Sequence, residues 1–378
     1  MEIYMDNAAT TPMCREAVTA MRQFYSGYYY NPSAGYSSAR RIHDVVEEKR
    51  AQIAGLIGAS PDEIYFTSGG TESDNWAISF GTQKRAHIIS TPIEHKAVLM
   101  PLKNYRTKGG AVSFLKTDKT GMVRPNDLRR MIMPSTGLIS VMAANNEIGV
   151  IEPIEEIGHI AREYEIAFHT DAVQAFGHIP VDVEKWCVDM LSASAHKFGG
   201  PKGTGFMYIR RDCKISPMIR GGAQERMMRA GTENVPGIVG MAAAAQKAVD
   251  NMEQNSRHCR MICSHMTSRI LSEIPGVVLN GPPLGPDRLP NNMNFGFEGI
   301  DATSMLTLLD VHHVAASAGS ACNATSGEYS HVLKAVGTED KYVGGIIRLS
   351  IDEKITLQMA DYVVNIIKSI VNNLRSTK

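Results

Sequence analysis

The sequence predicts an α/β protein with a mainly parallel sheet, and three observations support that prediction. Short apolar runs alternate along the chain with longer amphipathic segments, as strands joined by crossover helices do. Small or polar residues follow several of the apolar runs, as at strand-to-helix turns. The 378 residues, of which 43% are hydrophobic, suffice for two hydrophobic cores.

The individual elements follow from hydrophobic periodicity and from turn residues. Residues 38–57 have the apolar spacing of an amphipathic helix. Pro153 is expected to begin another helix, because a missing N–H costs little in the first turn. The remaining predictions, in chain order, are strands at 64–67, 87–90, 112–115, 139–142, 166–169, 189–193 and 205–209, and helices ending near 82, starting near 95, and covering 236–272 and 355–373.

The chain changes character after about residue 235, where a long Ala/Met-rich helical run begins. We therefore expect a large α/β domain and a smaller α+β domain. Residues 13–255 are assigned to the large domain, and residues 1–12 and 256–378 to the small one.

Composition argues against several classes of protein. The chain has 39 basic and 39 acidic residues, so its bulk charge does not suggest direct nucleic-acid or membrane binding. The N-terminal residues lack the pattern of a signal peptide, and we expect a cytoplasmic protein whose six cysteines are reduced. Cys259 and Cys263 could conceivably bind a metal, but a second ligand pair is missing, and two unrelated thiols on one helix are the simpler interpretation.

A lysine and an aspartate follow two neighbouring predicted strands. Lys197 lies just after the strand at 189–193 and before a glycine turn, and Asp171 follows the strand at 166–169. A lysine amine can form a Schiff base with pyridoxal phosphate (PLP), while a carboxylate keeps the pyridine nitrogen protonated. Taken alone, Lys197 fits a solvated surface lysine better, because lysines are rarely buried.

The turn at 68–75 fits a phosphate cradle. Gly70 and Thr71 would offer backbone N–H groups at a helix N-terminus. The alternative is an ordinary strand-to-helix turn in which Thr71 caps the helix and Asp74 completes a capping box.

Two further polar motifs follow predicted strands. His95 could stack on a flat ring and move protons, or could simply face solvent. Asn146 could bond a ring hydroxyl, or could belong to a polar turn. Because ligands bind at the carboxyl ends of strands in open α/β sheets, one crevice should gather Thr71, His95, Asn146, Asp171, Gln174 and Lys197.

Cys322 lies in a run of small and polar residues, 316–328, that is expected to form a mobile loop. An exposed thiol there could approach a cofactor, react and move away, although an incidental loop cysteine is the alternative.

At these residues the sequence resembles the cysteine desulfurases of the NifS/IscS type, in the class-V aminotransferase group of fold-type I PLP enzymes. The resemblance runs nearly end to end and rests on the segments at 6–12, 31–33, 67–73, 94–96, 145–149, 169–174, 194–197, 229–234 and 319–322. It implies a large domain with a mainly parallel seven-stranded sheet and a smaller domain that carries the catalytic cysteine.

The resemblance also implies residue roles. Lys197 would form the Schiff base, Asp171 would pair with the pyridine nitrogen, and Gln174 with the ring hydroxyl. His95 would stack on the ring and act as acid and base. The phosphate would be bound by Gly70, Thr71, Ser194 and His196, and by Thr232 of a neighbouring copy in a homodimer. The substrate would be held by Asn7, Asn146 and Arg348.

The implied reaction converts L-cysteine to L-alanine and leaves a persulfide on Cys322. The sulfur would pass to an acceptor protein, either an iron–sulfur scaffold or a tRNA-thiolation protein. No resident metal is expected, although Cys322 could contact an iron–sulfur group during transfer. The alternatives are a selenocysteine lyase or another PLP enzyme of the same fold, and an interaction protein that has lost catalysis.

Overall fold

The structure is a computed structural model that describes residues 2–84, 86–318 and 329–376. Strands and helices alternate through most of this part of the chain. The strands are β1 Ile3–Tyr4, β2 Ile64–Thr67, β3 His87–Ser90, β4 Val112–Phe114, β5 Thr136–Ser140, β6 Ala167–Asp171, β7 Met190–Ser194, β8 Gly205–Ile209, β9 Val277–Leu279, β10 Asn292–Phe297, β11 Val314–Ala315 and β12 Ile346–Ser350. The helices are α1 Arg15–Arg22, α2 Ser37–Leu56, α3 Gly70–Gln83, α4 Lys96–Thr107, α5 Pro125–Met131, α6 Ile154–Glu163, α7 Val235–Asp250, α8 Met252–Glu273, α9 Ala302–Val311, α10 His331–Val336, α11 Asp340–Val343 and α12 Leu357–Ser376.

The main sheet has seven strands in the order β2-β8-β7-β6-β5-β3-β4. Strand β8 runs antiparallel to both of its neighbours, and the other pairs are parallel. The prediction of a mainly parallel seven-stranded sheet is therefore confirmed. Strand β8 reverses direction because the chain between β7 and β8 is too short for the dozen or more residues that a parallel crossover needs.

The parallel strands bring the predicted site residues to one edge of the sheet. Strand β6 ends at Asp171 and strand β7 ends at Ser194, with Asp171 in register with Ser192. Lys197 lies in the short 3-10 turn that follows β7 directly. Carboxyl-end loops of adjacent parallel strands meet, so these residues lie side by side.

A second structural unit contains strands β9, β10 and β12 in an antiparallel sheet, and the small pair of β1 and β11. Its core brings Ile3 and Met5 together with residues between 259 and 371. The division into two domains, with boundaries at 12 and 255, stays a prediction.

Two element predictions were wrong in detail. The helical run expected over 236–272 is two helices, α7 and α8, which Asn251 separates. The strand expected at 139–142 is β5, which starts earlier and ends at Ser140.

The paired thiols of helix α8 belong to the second core. Cys259 and Cys263 are buried there, and burial raises the pKa of Cys259 to about 12. Among the described residues, no group of three or more His, Cys, Asp and Glu side chains could hold a metal ion. Across the same residues, no helix is both long enough and apolar enough to cross a membrane.

Candidate active site

A cavity of about 210 Å³ opens at the carboxyl edge of the main sheet. It brings together all six residues that the sequence predicted to converge on one crevice. Its walls are formed by Gly70, Thr71, Asp74, His95, Met142, Asn146, Asp171, Val173, Gln174, Ser194, His196 and Lys197.

One end of the cavity is a glycine turn at the start of helix α3. Gly69 precedes the helix with φ of +143°, a conformation that favours glycine, and a Cβ there would lie 3.2 Å from the Ser194 Oγ. A Cβ on Gly70 would lie 2.6 Å from the Val173 Cγ2. The N–H groups of Ser68 and Gly69 already donate to side chains. An anion at this turn would therefore meet the N–H groups of the first helical residues, Gly70 and Thr71, where the helix dipole also favours a negative charge. The alternative in which Thr71 caps the helix is wrong, because the capping position is Gly69.

His196 lies at the same end of the cavity. Its Nδ1 is 3.1 Å from the Thr10 Oγ1, and burial lowers its pKa to about 4. The ring is therefore neutral at physiological pH, and it can offer a hydrogen bond without adding a charge.

Asp171 and Gln174 form the side of the cavity that faces the end of β6. Asp171 Oδ1 accepts a hydrogen bond of 2.8 Å from the Val173 N–H, which fixes the carboxyl group. Burial raises the Asp171 pKa, and the nearby His95 and Lys197 oppose that rise. Gln174 donates through Nε2 to the Ala8 carbonyl at 3.0 Å.

Lys197 is held by the backbone of the N-terminal segment. Its Nζ donates to the carbonyls of Ala8 at 2.7 Å and Ala9 at 2.8 Å. Two carbonyl acceptors aim the amine at a defined point of the cavity wall. Sequence reasoning missed these acceptors, because a backbone carbonyl leaves no signal in residue type.

His95 is the capping residue of helix α4. Its Nδ1 accepts a hydrogen bond of 3.1 Å from the Ala97 N–H. Burial lowers the His95 pKa, which favours the neutral ring. A neutral imidazole whose Nδ1 is an acceptor carries its proton on Nε2, so His95 is a hydrogen-bond donor from that nitrogen.

Arg348 lies close to the cavity without lining it. The side chain is only 1% exposed; it donates to the Asn146 carbonyl at 3.1 Å and forms an ion pair of 2.6 Å with Asp6. Its Nε has no hydrogen-bond partner among the described residues. Asn7 donates through Nδ2 to the Ser350 carbonyl at 3.0 Å, and it lines a neighbouring cavity of about 320 Å³ that also contacts Lys197.

Like Arg348 and Asn7, Thr232 does not line this cavity within one chain. Thr232 lines a separate cleft of about 60 Å³ beside Ser68 and Arg229. Cys322 lies outside the described residues.

Two buried acids near the cavity received no catalytic or cofactor-binding role from the sequence. Asp74 lines the cavity, and Glu94 accepts hydrogen bonds from Thr91 and from the Met142 N–H. The sequence placed both in motifs but gave no sign that their carboxyl groups would be buried.

Comparison with known proteins identifies the family of the chain. The family model "Aminotransferase class-V" matches residues 3–362. The chain therefore belongs to the class-V aminotransferase family, a family of PLP-dependent enzymes, and within it to the cysteine desulfurases, as the following relatives show.

A protein of Methanosarcina thermophila named "Cysteine desulfurase IscS" is 47% identical over 378 residues, covering 99% of this chain and 93% of its own. A protein of the same name from Dictyoglomus turgidum is 45% identical, with coverage of 99% and 96%. A solved structure described as a "NIFS-LIKE PROTEIN" is 37% identical, has a TM-score of 0.92, and matches over 99% of this chain and all of its own. The resemblance stated from the sequence motifs is thereby confirmed.

Proposed function

We propose that the cavity of about 210 Å³ holds pyridoxal phosphate and that Lys197 binds it covalently through Nζ. The observation that carries this proposal is one cavity wall with a lysine amine, a buried carboxyl group and a glycine-rich helix N-terminus. A bound PLP supplies an electron-withdrawing ring that stabilises negative charge at the substrate α-carbon.

The polar groups of the cavity fit the parts of that cofactor. The phosphate would lie at the glycine turn with Gly70, Thr71, Ser194 and His196, where a neutral histidine and free N–H groups suit a dianion. Asp171 would pair with the pyridine nitrogen, and Gln174 and Asn146 with the ring hydroxyl. Thr232 of a second copy would complete the phosphate site. Within one chain Thr232 lines a different cleft and so cannot reach this cavity.

Lys197 would also move the substrate α-proton. The Ala8 and Ala9 carbonyls, at 2.7 and 2.8 Å, hold Nζ at the cavity wall. A base positioned in this way needs little reorientation before it takes a proton, which is how geometry lowers a barrier.

Arg348 would bind the carboxylate of L-cysteine, with Asn146 and Asn7 beside it. Its planar guanidinium matches a carboxylate through two parallel hydrogen bonds. The ion pair with Asp6 at 2.6 Å occupies one side of that group, so substrate must compete with Asp6 or use the remaining donors.

His95 would act first as an acid. Because Nδ1 accepts from the Ala97 N–H, the transferable proton lies on Nε2. For His95 to act as the base that takes the Cys322 proton, the bond to Ala97 would have to break. The base role therefore stays a prediction, and the capping bond favours the donor role.

Cys322 would accept the sulfur. Its thiolate attacks the sulfur of the substrate, an S–S bond forms on Cys322, and the C–S bond breaks. Protonation of the remaining carbon skeleton gives alanine, and the sulfur then passes to an acceptor protein such as an iron–sulfur scaffold or a tRNA-thiolation protein.

Replacing Cys322 with alanine tests the assignment. Cys322→Ala should keep the visible absorbance of bound PLP and lose sulfide release from L-cysteine. Cys14→Ala is the matched control, since Cys14 is a partly exposed thiol of the neighbouring cavity. Full sulfide release by Cys322→Ala would exclude that cysteine as the acceptor.

A comparison of substrates tests the class of reaction. We expect turnover of L-cysteine, with alanine and sulfur formed in equal amounts. Turnover of selenocysteine alone would instead identify a selenocysteine lyase.

A further inference from the structure

Three carboxyl groups are buried at or near the proposed cofactor cavity, two of them in its lining. Asp74 and Glu94 are each 1% exposed, and Asp171 is 4% exposed. On the cavity side, the nearby His95 and Lys197 lower the Asp171 pKa, against the larger effect of burial. Within the described residues, no lysine or arginine forms an ion pair with Asp74 or Glu94.

Asp74 stands at the end of a buried polar chain. His169 is 3.6 Å from the Asp74 Oδ1 through Nε2, and the Ser192 hydroxyl interacts with the same carboxyl group. The His169 Nε2 is 3.0 Å from the Ser192 Oγ, and its Nδ1 is 2.9 Å from the Ser140 Oγ. The chain thus runs from Asp74 through Ser192 and His169 to Ser140.

His169 cannot supply the missing positive charge. Burial lowers its pKa to about 3, so the ring is neutral at physiological pH. The Asp74 Oδ1 has no hydrogen-bond partner among the described residues. An ionised Asp74 would be a buried, uncompensated charge beside Asp171, which is strongly unfavourable.

The cost of burying a charge also changes the pKa of Asp74. Burial raises its pKa well above the ordinary value and the neighbouring Asp171 and Glu94 raise it further, while the hydrogen bond with Ser192 lowers it. The pKa of Glu94 is likewise raised well above its ordinary value, mainly by burial. Hydrogen bonds from Met142 and Thr91 lower this pKa, and the charges of Asp171 and Glu152 raise it.

We propose that Asp74 is a positioning residue that remains a neutral carboxylic acid and donates its hydrogen bond to Ser192, so that no second negative charge lies beside Asp171. A carboxylic acid kept neutral by an apolar site is a known way to place a strong hydrogen-bond donor in a protein. The benefit to Asp171 rests on the proposed function, because Asp171 alone would then face the pyridine nitrogen.

The protonation state of Asp74 determines which group donates at each hydrogen bond between Asp74 and Ser140. If Asp74 donates to Ser192, the Ser192 hydroxyl donates to the His169 Nε2, and the neutral ring carries its proton on Nδ1, toward Ser140. If Asp74 were ionised, Ser192 would donate to Asp74, and His169 would carry its proton on Nε2. The tautomer of one buried histidine therefore reports the state of Asp74.

The test is nitrogen NMR of the full-length protein as purified, labelled with ¹⁵N-histidine. The His169 signals are assigned by their loss in His169→Gln. We expect the Nδ1–H tautomer in the wild type and the same tautomer in Asp74→Asn, whose amide NH₂ can still donate to Ser192. An Nε2–H tautomer in the wild type would overturn the proposal, and this reading stands even if Asp74→Asn fails to fold.

A second readout uses the visible band of PLP-loaded protein. If Asp74 is neutral, Asp74→Asn removes no charge, and the pH at which the visible band titrates should be the same as in the wild type. A midpoint lower than that of the wild type by about one pH unit or more would show that Asp74 carries a negative charge, and would overturn the proposal. If the chain takes up no PLP at all, the proposed function fails, while the tautomer measurement still decides the state of Asp74.

Discussion

Replacing Gly70 with alanine should weaken PLP binding. The added Cβ would lie 2.6 Å from the Val173 Cγ2, closer than such atoms approach in proteins. Valine is stiff about χ1, so Val173 can yield only by moving into the cavity that it lines. To bind the cofactor, the variant would have to move the Val173 side chain out of the cavity and back against the methyl group added at position 70. Overpacking of two side chains in this way costs about 1–3 kcal/mol.

That energy corresponds to about a 5- to 150-fold increase in the Kd for PLP, at about 1.4 kcal/mol for each tenfold change. The assay is titration of cofactor-free protein with PLP, followed by visible absorbance. Gly55→Ala is the matched control, because a Cβ there meets nothing within 4 Å in helix α2. A Kd within about twofold of the wild type for Gly70→Ala, or an equal loss in Gly55→Ala, would refute the steric reasoning.

Three other charged side chains give measurable predictions. Burial raises the pKa of Glu152 from 4.5 to about 8, so the folded protein keeps a proton that the unfolded chain releases. The free energy of unfolding of the wild type should thus fall by ~1.4 kcal/mol per pH unit as pH rises between these two pKa values. Urea unfolding at pH 5 and pH 8 should show a smaller fall in Glu152→Gln, because the amide does not titrate. An equal fall in the wild type and the variant would contradict the prediction. Arg50 forms a buried bidentate ion pair with Glu225, at 2.7 and 2.8 Å, and Arg50→Met should cost about 3–5 kcal/mol in urea unfolding because the carboxylate loses its partner. A loss below about 1 kcal/mol would contradict the view that Arg50 is the partner that stabilises the buried Glu225 carboxylate. Asp6→Asn removes the charge that pairs with Arg348 at 2.6 Å, and should lower the KM for L-cysteine about tenfold, whereas an unchanged KM would mean that Asp6 does not compete with substrate.

The sheet could be predicted from sequence because its strands are nearly continuous apolar runs with polar turns after them. Strands β3 and β7 are buried on every residue, which is the pattern of a covered parallel sheet. The end of helix α7 could not be predicted in the same way. Asn251 interrupts the helical pattern without a proline or glycine, and its Nδ2 bonds the Lys247 carbonyl, so the break shows only in three dimensions.

The candidate site was predictable where residue type and strand position agree, as for Lys197 and Asp171. It was not predictable where function depends on backbone or on distant packing. The Ala8 and Ala9 carbonyls that hold Lys197 come from the N-terminal segment, far from Lys197 in the sequence. The burial of Asp74 likewise arises from the packing of helix α3 against the sheet, which local sequence does not encode.

The most direct test of the account is to locate the lysine that holds the cofactor. Borohydride reduction of the purified, PLP-loaded protein, followed by peptide mass spectrometry, converts a reversible covalent link into a stable label. The account predicts the phosphopyridoxyl label on Lys197, whose Nζ is aimed into the cavity wall by Ala8 and Ala9. A label on another lysine, or no label on protein that binds PLP, would contradict it.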